Sequence, residues 1–167
     1  HFLKSSGSLW KDTYILFTSD HGEMLGDHNR YGKGCPLEGS AKVPFVVRPA
    51  AWVPCLKGRR CDTPLTLCDI MPTLLEEAGI AIPTAVEGLS LTPLVRGGSA
   101  IGRDVIHGEF AGGGKGWQFV TDGKEKFFWD SRSGREWFFD LARDPQERVN
   151  RAADAACADR VAFWRQR

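Results

Sequence analysis

Two short apolar runs set the frame for this chain. Asp12-Thr-Tyr-Ile-Leu-Phe-Thr18 and Val43-Pro-Phe-Val-Val-Arg48 are rich in β-branched and aromatic residues and lack the polar alternation of a half-exposed strand. A strand covered on both faces inside a parallel sheet reads this way. Between them runs Ser19 to Lys42, a polar stretch with glycine at 22, 26, 32, 34 and 39. A connection this long without periodicity is uncommon in a compact domain unless it carries function. In open α/β sheets, ligands bind beyond the carboxyl ends of the strands. That position here holds Thr18-Ser-Asp-His-Gly22.

Around these runs the chain falls into two parts, residues 1–100 and 101–167. His1 to Leu9 reads as the tail of a helix ending near Gly7. Thr63 to Gly79 reads as a helix capped by Thr63, with Pro64 at its first position and Leu67, Ile70, Met71, Leu74, Leu75 and Ala78 as its inward stripe. Pro72 predicts a kink or a restart within it. Gly88 to Ser99 reads as a loop with a short helical turn, and Arg103 to Phe110 as a strand ending at the Gly112–Gly114 break. Trp117–Thr121, Glu125–Trp129 and Glu136–Asp140 follow, separated by the turn signals Asp122-Gly123 and Ser133-Gly134. This spacing predicts an antiparallel meander. Eight of the chain's 18 aromatic residues lie between Trp117 and Phe139, enough to cover one sheet face, against which a closing helix over 152–167 would pack. The fold class expected is α/β, followed by a small antiparallel sheet and a C-terminal helix.

Composition narrows the function. Lys plus Arg total 22 and Asp plus Glu 21, a net charge of +1, without the basic excess that phosphate contacts give a nucleic-acid binder. No apolar run approaches the ~20 residues of a membrane span. The five cysteines, at 35, 55, 61, 68 and 157, contain no C-x-x-C pair and no zinc spacing. Cys68, within the helical pattern, reads as a buried thiol, and a Cys55–Cys61 disulfide stays open.

Several polar residues around the first strand can carry chemistry. Asp20 and His21 pair a hard carboxylate with an imidazole, and Gly22 permits the sharp turn that lets both face one cation. Their plainer reading is a turn cap beside a solvated histidine. Lys33, between Gly32 and Gly34, can reach an anionic group as a compact point charge, or is an ordinary exposed lysine. Asp27 and His28 read as solvated loop groups. Glu38 reads as a partner of Lys42 or a cap of the following turn, and His107 as a buried, hydrogen-bonded histidine at a strand end.

The string Thr18-Ser-Asp-His-Gly-Glu-Met-Leu-Gly-Asp-His28, then Gly32-Lys-Gly34 and Glu38-Gly-Ser-Ala-Lys-Val-Pro44, resembles the metal-binding segment of type I sulfatases in the alkaline-phosphatase-like superfamily. Leu67-Cys-Asp-Ile-Met-Pro-Thr-Leu-Leu75, Glu87-Gly-Leu-Ser-Leu-Thr-Pro-Leu94, Arg103-Asp104, Gly108-Glu109 and Phe139-Asp-Leu-Ala-Arg-Asp-Pro145 extend the resemblance over nearly the whole chain. It implies that residues 1–100 are the later segment of a catalytic α/β domain and 101–167 a C-terminal subdomain. It also implies that Asp20 and His21 are ligands of a divalent cation, usually calcium, with magnesium or manganese in some members. Lys33 matches the lysine that contacts the sulfate oxygens, as a catalytic and substrate-binding residue. The implied substrate is a sulfated small molecule or carbohydrate. A histidine at the position of His21 also occurs in phosphonate and phosphodiester hydrolases of the superfamily, which makes such a hydrolase the alternative enzyme. A non-catalytic binding module using the aromatic meander as its contact surface is the alternative of another class.

One departure is plain. The family's nucleophile is a formylglycine made from the first residue of a Cys/Ser-x-Pro-x-Arg segment. Cys35-Pro-Leu-Glu-Gly, Cys55-Leu-Lys-Gly-Arg and Cys61-Asp-Thr-Pro-Leu all lack that pattern. The chain opens on HFLKSSGSLW without a methionine. The reading is therefore a carboxy-terminal part of a sulfatase, inactive or nearly so alone, with the formylglycine and the acidic metal ligands in an amino-terminal part of the same enzyme.

Overall fold

The computed structural model describes residues 2–55, 57–99, 101–112 and 114–167. His1 of the predicted first helix and Gly113 of the predicted break lie outside them. In chain order the elements are α1 (Phe2–Ser5), α2 (Ser8–Asp12), β1 (Ile15–Thr18), α3 (Glu38–Ala41), β2 (Phe45–Arg48), α4 (Ile70–Glu77), α5 (Thr92–Val95), β3 (Ile106–Gly112), β4 (Lys115–Thr121), β5 (Glu125–Asp130), β6 (Glu136–Asp140) and α6 (Ala158–Arg165). They divide into two compact units, His1–Asp20 with Pro44–Arg103, and His21–Val43 with Asp104–Arg167. The long Gly-rich connection thus groups with the C-terminal sheet.

In the first unit β1 and β2 pair with each other antiparallel, from Ile15 opposite Arg48 to Thr18 opposite Phe45. This corrects the expectation of parallel strands covered on both faces: Phe17 and Val46, directly opposite one another, are 62% and 57% exposed. An apolar run reports what a strand can bury, not the direction of its neighbour. The excursion through 19–42 brings the chain back beside β1 in reverse. Arg48 closes the pair's end, donating from Nη1 to the Thr13 carbonyl at 3.1 Å while its guanidinium lies 3.6 Å from the centre of the Trp10 ring.

The predicted helix begins later than Thr63. Thr66 caps a single 3-10 turn, Leu67–Asp69, in a capping box with Asp69, and α4 continues from Ile70. Pro72 is the third residue of α4, where its missing N–H has no partner to lose, so the 3-10 to α change at Ile70 stands in place of a kink at the proline. The inward face also differs. Asp69, Pro72 and Thr73 are buried, whereas Met71 and Leu74 of the predicted stripe are exposed, as is Cys68. An ion pair sets this rotation. Asp69, with no exposed surface, accepts two hydrogen bonds from Arg103 at 2.5 and 2.8 Å, one from the Thr66 N–H and one from the Leu89 N–H, both at 2.8 Å. Thr73 extends the node, donating to the Asp69 carbonyl and accepting from the Leu91 N–H. All five cysteines are free thiols, so Cys55 and Cys61 are not bridged, and Cys157 is the buried one.

Gly88 shows how closely the 87–91 segment lies on this helix start. A Cβ there would stand 2.0 Å from the Cys68 carbonyl oxygen. Gly88→Ala is expected to cost about 1–3 kcal/mol, since backbone must move. A chemical-denaturation midpoint equal to the wild type's would count against that reading of the contact.

The second unit is built on the meander β3-β4-β5-β6, antiparallel throughout. The aromatic residues do not cover one face, as expected, but both. Neighbours along a strand point to opposite sides, so Phe127-Phe128 and Phe138-Phe139 each split. Phe127 and Phe138 pack with Cys157, Val161 and Trp164 from the C-terminal helical segment. Phe128 and Phe139 pack with Met24 and Leu37 from the Gly-rich connection, with Cys35, Phe119 and Trp137 against them. The sheet therefore carries α6 on one face and residues 21–43 on the other. The closing helix is shorter than 152–167: a 3-10 turn, Ala155–Cys157, leads into α6. Among the described residues no helix is long and apolar enough to cross a membrane.

Candidate functional site

The 21–43 connection is a fixed structure built by close backbone approach. The Gly22 N–H donates to the Ser40 carbonyl at 2.9 Å, and a Cβ at Gly22 would lie 2.1 Å from the Gly39 oxygen. Only glycine lets the two limbs of the loop meet there. Met24, 2% exposed, anchors the turn in the sheet's core. Leu25, His28 and Asn29 all hold positive φ, and the only other non-glycine residue to do so among those described is Glu147, which meets this loop. Such strain persists where surrounding contacts over-determine it, and it concentrates at functional sites.

Lys33 sits between two glycines held by hydrogen bonds. Gly32 and Gly34 have φ of +77° and +90°, so the lysine rides an exposed knuckle between two left-handed turns. Both flanks are pinned. The Gly32 N–H donates to Glu23 Oε1 at 2.5 Å and its carbonyl accepts from the Met24 N–H at 3.0 Å. The Gly34 N–H donates to Ser40 Oγ at 3.1 Å, and the Gly34 carbonyl accepts from Trp117 Nε1 at 3.0 Å.

Beyond the knuckle, residues 36–38 are held by a buried ionic cluster. Lys126 on β5 is 1% exposed and donates from Nζ to the Pro36 carbonyl at 2.8 Å, Glu38 Oε1 at 2.6 Å and Glu147 Oε1 at 3.0 Å. Glu147 Oε2 accepts from the Glu38 N–H at 2.6 Å. Glu38 also forms the expected pair with Lys42 at 3.0 Å. Burial works to raise its carboxyl pKa, but the charge and hydrogen bond of Lys126, with a smaller contribution from Lys42, hold it below the ordinary glutamate value.

Asp20 is exposed and closes the first unit; His21, half-buried, opens the second. His21 Nδ1 donates to the Gly22 carbonyl at 2.7 Å. Metal-ligating histidines commonly spend one ring N–H on a backbone carbonyl in this way. A carboxylate beside such an imidazole fits part of a divalent cation's shell; calcium takes six to eight ligands, more than this pair supplies. Among the described residues no group of three or more His, Cys, Asp or Glu side chains is disposed to hold a metal. His28, exposed, ties the loop to the C-terminal segment by donating from Nε2 to the Gln146 carbonyl at 2.9 Å. His107 is exposed on the edge strand β3 rather than buried, because an edge strand has a neighbour on one side only. Lys126 and Glu147 were not singled out from the sequence. Lys126 shares the strand parity of Phe128, which places a charge on a buried face and was the available signal.

This scaffold, an alkaline-phosphatase-like α/β arrangement followed by a four-stranded sheet, is shared by solved hydrolases. A 2-O GAG sulfatase superposes with a TM-score of 0.86 at 24% identity, covering 95% of this chain and 35% of that one. The phosphonate monoester hydrolase of Agrobacterium radiobacter superposes with a TM-score of 0.81 at 33% identity, covering 98% and 35%. In sequence, an arylsulfatase of Clostridium perfringens is 44% identical over 156 residues, 93% of this chain and 32% of its own length. The Sulfatase family profile matches residues 3–80. The chain is similar to the later part of sulfatase-family proteins. It spans about a third of the length of the curated relatives it matches. That similarity implies a divalent metal ion.

Proposed function

We propose that the protein carrying this chain hydrolyses a sulfate ester of a small molecule or carbohydrate, with Asp20 and His21 contributing ligands to a divalent cation, calcium first among candidates, and Lys33 engaging the sulfate oxygens. The observation that carries the reading is the lysine knuckle. An exposed, flexible lysine contributes little to catalysis, but one whose flanking peptides are fixed presents its ammonium to a developing anion without reorganising. In sulfate-ester hydrolysis negative charge gathers on the non-bridging oxygens, and a compact, strongly hydrated cation suits a group that must be met from one side. When bound, the cation adds positive charge against the same oxygens. His21 enters with its proton already committed to the Gly22 carbonyl.

The 33% identity to a phosphonate monoester hydrolase supports a second reading, hydrolysis of phosphonate or phosphate diesters on the same scaffold. Parallel assays of the full-length protein with 4-nitrophenyl sulfate and 4-nitrophenyl phenylphosphonate separate the two. Dominant turnover of the phosphorus ester would reverse the assignment. The metal role has its own check: Asp20→Ala is expected to weaken calcium binding to metal-depleted protein, by calorimetry, at least about tenfold to a hundredfold. Unchanged affinity would remove Asp20 from the ligand set.

A further inference from the structure

We infer that Trp117 and Lys126, both on the sheet face that receives the 21–43 connection, are positioning residues for Lys33, so that the C-terminal sheet is the template on which the substrate-facing lysine is set. The inference rests on the reading of Lys33 given above. Trp117 acts one peptide away: its indole N–H holds the Gly34 carbonyl, and its ring is stacked on Phe110 at 5.8 Å between centroids. Lys126 acts two residues beyond Gly34, through the Pro36 carbonyl, and on Glu38.

The chemistry explains the choice of side chains. A carbonyl on an otherwise exposed loop needs a donor that does not swing, and tryptophan offers one rigid N–H on a ring locked by packing. An ammonium with three protons meets three acceptors at Lys126, so the lysine's donors are all spent on fixing the connection and on the two carboxylates beside it. Neither side chain is offered as touching substrate. Both would act by holding Gly34 and Pro36, and hence the direction in which Lys33 leaves the backbone.

Full-length protein tests this with Trp117→Phe, Lys33→Ala and the double variant, each checked for folding by circular dichroism. Trp117→Phe keeps an aromatic ring and removes the donor. It is expected to lower kcat for 4-nitrophenyl sulfate about tenfold with KM little changed. If Trp117 works through Lys33, the double variant loses no more than Lys33→Ala alone. Wild-type kcat in Trp117→Phe, or losses that multiply in the double variant, would overturn the inference. Lys126→Met gives the second arm: hydrogen–deuterium exchange across residues 31–40 should accelerate about tenfold or more in both Trp117→Phe and Lys126→Met. Should the wild type hydrolyse no sulfate ester, the reading of Lys33 fails, and exchange decides the positioning separately. Unchanged protection in both variants would then reject it.

Discussion

Lys33→Ala is expected to lower kcat for a sulfate ester about 10²–10³-fold in the full-length enzyme, the usual loss when a preorganised donor to a developing anion is removed. KM should move far less, because the charge that Lys33 is proposed to meet grows toward the transition state. Surface lysines are ordinarily dispensable, and this one is exposed. The difference lies in its flanks. Gly32 and Gly34 are each fixed by two hydrogen bonds, from Glu23, Met24, Ser40 and Trp117. Lys33→Arg should rescue poorly, since a planar fork on a longer stem does not occupy the position of a compact ammonium. Retention of kcat within threefold in Lys33→Ala would remove it from the active site.

The residues proposed for the site are marked by local signals, and local signals are what a sequence displays. Asp20-His21 after an apolar run and Lys33 between two glycines were visible because each depends on neighbours within a few positions. The meander was visible too, since Asp122-Gly123 and Ser133-Gly134 mark its turns and Glu136–Asp140 was bounded to the residue. What escaped depends on pairings across the chain. β1 and β2 carry the same apolar signal whichever way they run. Alternation sends Phe127 and Phe128 to opposite faces, so counting aromatics overestimated the coverage of one face. Lys126 meets Pro36 and Glu38 some ninety positions away, and nothing near it in sequence says so. For a related reason the helix expected over Thr63 to Gly79 forms, from Leu67 to Glu77, with a different face turned inward. Its inward face follows Asp69 and its distant partner Arg103, not the apolar stripe.

That node yields the largest expected effect on stability. Asp69→Ala should cost about 3–5 kcal/mol, as removal of one member of a buried ion pair does. The Arg103 guanidinium would lose its carboxylate partner, and the N–H groups of Thr66 and Leu89 their acceptor. Leu89 donates to the carboxylate that is removed, so the 87–91 segment should gain exchange before the rest of the first unit. Asp69→Asn keeps the shape and part of the hydrogen bonding and should cost less. The pH dependence distinguishes charge from shape. Burial pushes the Asp69 carboxyl upward, but the Arg103 hydrogen bonds, the Thr66 and Leu89 amides and the Arg103 charge more than offset it, leaving its pKa below the ordinary aspartate value. A carboxyl lowered in the folded state stabilises fully above its unfolded pKa of about 4, and that contribution fades as pH falls through the lower folded value. The stability gap between wild type and Asp69→Asn, from urea midpoints, should therefore be full at pH 7 and narrow steadily below about pH 4. A gap constant over that range would mean that hydrogen-bond geometry, and not the buried charge, fixes the start of α4.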